Sequence, residues 1–328
     1  MTTLPEPSAQ PTRPDPRNAP IDEIGEIARG SRTLQAVLRR TVRFALAPFE
    51  STTDDPKHNP YAAFPPMRGL GAYNEIDVDV VGVPDPTTGY LVNIVEVDAA
   101  VRTAVVPWLG ARFRSQFAPR GAPLDPATTV VEIADRIAGA LETPPPGAPE
   151  RTVVLVRWHL APTLSYAVRR SMTTTPIATP VDVELRQRFE FSASHRLHCP
   201  EYDEATNRAY FGKCNNPAGH GHNYRVDVAV AVPLRNAHTC SLQAVEAVVD
   251  RTVVARFDHK HLNSDVPEFA TLNPSVEHIA KVAHDLLVQP IAALGGRLRT
   301  VTVWETEKTC CTYPATASAE IAESLPRS

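Results

Sequence analysis

The densest chemistry in this chain is the string His220-Gly221-His222, which runs into the alternating segment NYRVDVAVAV. Alternate residues of a strand point to the same face, so a strand that begins at His220 sets both imidazoles side by side. A third imidazole, His195, closes the segment FEFSASH. Three imidazoles from two neighbouring strands can form a three-ligand zinc site that keeps one coordination position open, as catalytic zinc requires. Histidines at a turn can also serve no metal, and the HxH pattern alone does not separate the two readings.

Three further groups surround this pattern. Cys214 lies six residues before His220, across a turn built from Asn215, Asn216, Pro217 and Gly219. That turn folds the thiol back toward the imidazoles, where a metal and Lys213 would lower its pKa and make it a base near neutral pH. The competing reading is a buried structural cysteine, which is how Cys199, Cys240, Cys310 and Cys311 are read. Asp258-His259 pairs a carboxylate with an imidazole, which can fix the tautomer of the ring and raise its basicity. Glu305 ends the segment TVTVWE; facing a pocket, it could hold two N–H groups of a cyclic amidine or guanidine edge. At a solvated strand end it would be an ordinary surface charge.

The elements that must position these groups follow from pattern. ELRQRFEFSAS and residues 223–232 read as strands. Ser241 is a plausible N-cap for a helix to about Arg256, and Pro274-Ser275 open a second helix, 276–287. Residues 300–304 and 309–313 read as the closing strands. The unit is therefore strand–strand–helix–helix–strand–strand: α+β, an antiparallel four-stranded sheet with two helices on one face. Four strands make a small core, so the unit is expected to pair sheet edges with neighbours.

The first half of the chain repeats this pattern without its chemistry. Phe44 answers Phe191 (147 residues on), Gly69 answers Gly219 (150), Asn93 answers Ser241 (148), Ile133 answers Ile279 (146) and Val154 answers Val301 (147). A nearly constant offset indicates an internal duplication. By these offsets His195, His220 and His222 become Pro48, Leu70 and Ala72, and Glu305 falls near Arg157 or Trp158. His58 and His159 have no matching role. Nine of the 11 histidines and all 5 cysteines lie after residue 180, so the chemistry belongs to the second half. The organisation expected is a disordered Pro-rich tail (1–32), a degenerate domain without metal ligands (33–170), a linker (171–180), a catalytic domain (181–318) and a short tail (319–328).

Composition sets outer limits. A formal net charge of −4 over 328 residues argues against a nucleic-acid partner. No apolar run is long enough to span a membrane, the N-terminus lacks the pattern of a secretory signal, and an odd cysteine count suits a reducing compartment. The expectation is a cytoplasmic protein acting on a small molecule.

Residues 185–313 resemble the 6-pyruvoyl-tetrahydropterin synthase family of the tunnelling fold (T-fold), through FSASHRLH, FGKCNNPAGHGHNY, FDHKHLNSDVPEF, LNPSVEHIA and VWETEK. The resemblance implies tandem T-fold domains, zinc held by His195, His220 and His222, and proton transfer by Cys214, Asp258 and His259. It implies that Glu305 anchors a pterin ring and that Asn273, Ser275 and Glu277 of NPSVE line its pocket. The implied reaction converts 7,8-dihydroneopterin triphosphate to 6-pyruvoyl-tetrahydropterin with loss of triphosphate. Arg208, Lys213, Lys260 and Lys308 are candidate phosphate contacts. Related 6-carboxy-tetrahydropterin synthases of the queuosine and deazapurine route, which release acetaldehyde, usually place three residues between the Cys and HGH. The five here (NNPAG) match the pyruvoyl enzymes. A folate-linked variant usually carries Glu where Cys214 stands. A non-catalytic pterin-binding scaffold is the remaining alternative, supported by the inert first half. Family members assemble into rings with sites between subunits, so a homo-oligomer is expected, either a trimer of two-domain chains or something larger.

Overall fold

A computed structural model describes residues 36–48, 71–143, 147–170 and 182–314. The expected tails (1–32 and 319–328), the linker 171–180, His58 and Leu70 lie outside the described residues. In chain order the first half contributes β1 (Ala36–Leu46), β2 (Ala72–Gly82), α1 (Ile94–Ala100), a π turn (Val101–Val105), α2 (Val106–Ser115), α3 (Pro126–Leu141), β3 (Arg151–Ala161) and β4 (Leu164–Arg169). The second half opens with β5 (Asp182–His195), α4 (Glu204–Phe211), β6 (His220–Pro233), α5 (Leu242–Val249) and a π turn (Asp250–Val254). It continues with α6 (Ala255–Phe257), β7 (Lys260–His261), α7 (Leu262–Asp265), α8 (Val276–Ala293), β8 (Arg297–Thr306) and β9 (Thr309–Tyr313).

The expected α+β class and antiparallel pairing are observed. The strands form one sheet in the order β1-β2-β3-β4-β5-β6-β8-β9, and the two-residue β7 runs parallel to the end of β5. The halves join where β4 pairs with β5, from Leu164↔Gln187 to Val168↔Val183. At this junction burial pushes the Glu184 carboxyl up, but Arg186, Arg157 and Arg169 around it hold it below the usual carboxylate value. Alternation along each strand sends one set of side chains under the helices, as with Phe191, Ala193 and His195 on β5 and Tyr224, Val226 and Val228 on β6. The other face carries cross-strand ion pairs such as Arg39–Asp79 and Arg188–Asp227.

Two helices differ from the sequence expectation. The helix expected over 241–256 is interrupted by the π turn at Asp250–Val254. Val245, Val249, Val253 and Phe257, spaced by four, are all 0% exposed. A strict α-helix rotates a four-residue stripe off its face, whereas a wider i→i+5 turn carries it straight down. The first half solves the same problem in the same way: Val97, Val101, Val105 and Leu109 are 0% exposed around the π turn Val101–Val105. The second helix runs six residues past 287, through Pro290, because Leu287 and Ile291 pack fully buried on either side of the proline. Both halves also carry a sheet irregularity at matching positions, Asp79/Val80 and Ala229/Val230.

Glu75 faces His159 and Arg225 faces Trp304; aligning the halves on these pairs would set Leu160, rather than Arg157 or Trp158, against Glu305. The His159 Nε2 lies 3.0 Å from Asp77 Oδ2. Glu75, Asp77 and His159 are close enough together for one ion. Arg43 pairs with Glu75, and Thr41 donates to Asp77, so the group forms a cross-strand hydrogen-bond and ion-pair network. Among the described residues no helix is long and apolar enough to cross a membrane.

Candidate metal and substrate site

The three histidines meet at one end of β5 and β6. His195 pairs directly with His220 in the ladder, and His222, two residues on, points to the same face. The turn before them depends on Gly219, whose φ of +73° suits glycine; a Cβ there would sit 2.9 Å from His261 Nε2 and 3.1 Å from the His195 carbonyl oxygen. The Nε2 atoms of His195 and His220 are 3.1 Å apart. Ligand nitrogens about 2.0–2.1 Å from a tetrahedral zinc are themselves roughly 3.3 Å apart, so this spacing suits a shared ion. One ligand nitrogen from each of the three rings falls within 4.8 Å of the others. His222 Nε2 is buried with no hydrogen-bond partner, the state expected of a nitrogen reserved for a metal.

The Pro274 carbonyl fixes which nitrogen of His195 faces inward. Its Nδ1 donates to the Pro274 carbonyl at 2.6 Å, which leaves Nε2 unprotonated. Burial pulls the pKa of His195 down to about 4, against the pull of the Pro274 bond and with help from the neighbouring imidazoles. Burial likewise lowers that of His220. Both rings are thus neutral at physiological pH and available as ligands. The chain itself supplies an anion on the open side: Glu305 Oε1 lies 3.4 Å from His195 Nε2 and 3.7 Å from His222 Nε2.

The other expected residues divide into two groups. Cys214 sits in a 3₁₀ turn (Gly212–Asn215), within electrostatic reach of Glu305 and Tyr224. Without a metal, burial, and then the negative Glu305, push its thiol pKa up, so the lowering expected from sequence depends on a bound metal. Lys213 does not reverse this, because the carboxylate is the charge that the thiol faces. Asp258 and His259 form the expected pair, with His259 Nδ1 2.7 Å from Asp258 Oδ2. Asp258 Oδ1 accepts from the Ser192 amide at 2.8 Å, and His259 adopts a left-handed φ of +55° that turns its ring outward to 83% exposure. No contact joins this pair to Cys214 among the described residues. His259 does border the same cavity as His222, a depression of about 430 Å³ with Ser192, Ser194, Asn223, Lys260 and His261 in its wall.

Asn273, Ser275 and Glu277 are not in that wall. The Asn273 side chain accepts from the His198 amide, and Ser275 caps α8. Their segment reaches the imidazoles through the Pro274 carbonyl, a contact that sequence spacing does not reveal. Cys199, Cys240, Cys310 and Cys311 form no disulfide.

The sequence model of the family described as 6-pyruvoyl tetrahydropterin synthase matches residues 184–316. The 6-pyruvoyl tetrahydrobiopterin synthase of Homo sapiens is 35% identical over 132 residues, covering 40% of this chain and 90% of that protein. This chain belongs to the 6-pyruvoyl tetrahydropterin synthase family. The Drosophila melanogaster 6-pyruvoyl tetrahydrobiopterin synthase is 40% identical over 98 residues, covering 29% of this chain and 58% of that relative. The structure of Caenorhabditis elegans 6-pyruvoyl tetrahydropterin synthase shares 33% identity, covers 40% of this chain and 94% of that one, and superposes with a TM-score of 0.37. The similarity to these relatives accounts for about two-fifths of the chain or less.

Proposed function

We propose that this chain is a zinc-dependent lyase that converts 7,8-dihydroneopterin triphosphate to 6-pyruvoyl-tetrahydropterin with loss of triphosphate. The observation that carries the reading is the imidazole cluster: a pinned His195, facing Nε2 atoms 3.1 Å apart and a buried His222 Nε2 with no hydrogen-bond partner, in a chain of this family. His195, His220 and His222 would hold the metal, which when bound supplies Lewis-acid polarisation of the substrate's side-chain oxygens.

The remaining chemistry belongs to the chain. Glu305 binds the N–H edge of the pterin ring and so fixes the side chain for reaction. After burial, the negative Glu305 is the second cause that holds the Cys214 proton; the pairing weakens that cause, so ring binding would bring the thiol closer to thiolate. Cys214 then takes a proton from the substrate side chain. His259, its Nδ1–H held by Asp258, uses its exposed Nε2 to return a proton or give one to the leaving group.

Residues 36–170 are proposed to be a second copy of the same unit that lost the site. Matched element order, π turns and sheet irregularities support this. The chain is proposed to assemble with copies of itself through β1 and β9, the two ends of the sheet, into a trimer or larger ring. A sedimentation mass that is not a multiple of three chains would remove the trimer.

The deciding experiment incubates the zinc-loaded chain with 7,8-dihydroneopterin triphosphate and identifies the pterin by mass, with acetaldehyde assayed in parallel. The expected result is the pyruvoyl product, no acetaldehyde, and loss of turnover with retained zinc in Cys214→Ala. A carboxy product with acetaldehyde, or no product, overturns the reading.

A further inference from the structure

The cavity beside β5 and β7 has a one-sided chemistry. Ser194 and Asn223 project from the face of the sheet opposite the metal-binding histidines, and His259, Lys260 and His261 close the edge. Ser192 Oγ donates to Asn223 Oδ1 at 2.7 Å, which leaves the Asn223 amide N–H₂ as the free end of that side chain. Among the described residues, neither that amide, the Ser194 hydroxyl nor the Lys260 ammonium has a hydrogen-bond or ion-pair partner. The nearby carboxylates are engaged elsewhere. Asp258 accepts from the Ser192 amide and pairs with His259, and Asp265 accepts from the His261 amide and from Ser264. Lys260 is within electrostatic reach of Asp265 but forms no ion pair with it. No carboxylate lies in the cavity wall.

Free donors that converge on a hollow, with one cation and no anion, suit a ligand rich in acceptor oxygens. The hollow also shares His222 and His259 with the proposed reaction centre. We propose that this cavity is the oxyanion site for the phosphate chain of the substrate, with Lys260 as its charge anchor and Ser194 and Asn223 as neutral donors. This rests on the lyase reading for the identity of the substrate, although anion binding itself does not. It also singles out Lys260 among the four cations considered from sequence.

The test titrates inorganic tripolyphosphate into the full-length, metal-depleted chain by calorimetry, so that the probe cannot bind through metal. The wild-type chain is expected to bind at one site, more weakly as salt is raised. Removing a charged donor in Lys260→Gln should weaken binding by about 10- to 100-fold, and removing a neutral one in Ser194→Ala by about 2- to 10-fold. Zinc uptake by each variant reports that the fold and the imidazole cluster survive. Wild-type affinity in both variants, or no binding by the wild type, overturns the proposal. The parallel turnover assay separates the two readings. Tripolyphosphate binding through Lys260 without pterin turnover leaves the anion site standing and sinks the lyase. Turnover with an unchanged KM in both variants leaves the lyase standing and sinks the anion site.

Discussion

Acid should destabilise the metal-free chain through one residue. His195 is fully buried, its Nδ1 committed to Pro274 and its Nε2 to the cluster, and its pKa falls from an ordinary 6.5 to about 4. In the unfolded chain the ring is solvated and protonates near 6.5. Below that pH the unfolded state takes up a proton that the native state refuses, so stability falls as pH drops from 6.5 toward 4. At about 1.4 kcal/mol per pKa unit the full loss is roughly 3 kcal/mol, reached near pH 4. The assay is urea unfolding of the EDTA-treated protein at pH 7.5 and pH 4, for the wild type and for His195→Phe, a buried ring without a titrating group. The variant should lose about 3 kcal/mol less than the wild type over this interval, whatever its stability at pH 7.5. Equal losses would refute the assignment of the acid sensitivity to His195, and with it the neutral ligand cluster.

Three further outcomes follow from particular contacts. Gly219→Ala places a Cβ against the His261 ring and the His195 carbonyl at φ +73°, and should cost about 1–3 kcal/mol in a thermal melt and weaken zinc uptake. Asp258→Asn keeps an acceptor for the Ser192 amide but loses the carboxylate on His259; kcat should drop by about 10²- to 10⁴-fold with zinc content unchanged, read by steady-state kinetics and metal analysis. Glu184→Ala strands Arg157, whose side chain is 15% exposed, and should destabilise by about 3–5 kcal/mol, measured as a fall in the denaturant midpoint.

The imidazole cluster was legible because strand geometry is local: His220 and His222 share a face by alternation, and that face continues into Tyr224 and Val226. The element order was legible for the same reason, since each strand and helix announces its own period and caps. The valine stripes at four-residue spacing were visible in the sequence too, but a four-residue spacing is compatible with an α-helix until packing demands that every member be buried. Only then does the backbone widen into the π turns.

Contacts between distant segments were decided by the tertiary structure alone. The Pro274 carbonyl that sets the tautomer of His195 lies 79 residues away in sequence, and spacing carries no information about that meeting. The upward shift of the Cys214 thiol comes first from its burial and then from Glu305, a residue distant in sequence, whereas Lys213 is only its neighbour along the chain. The donor-lined cavity likewise arises only when β7 docks along the end of β5 and Ser192 turns the Asn223 amide outward. Sequence determined which groups could do chemistry and which strands would carry them, because propensity and alternation act over a few residues. Folding decided their protonation, their partners and the cavity between them, because burial and electrostatics depend on everything within a few ångströms, wherever it lies in the chain.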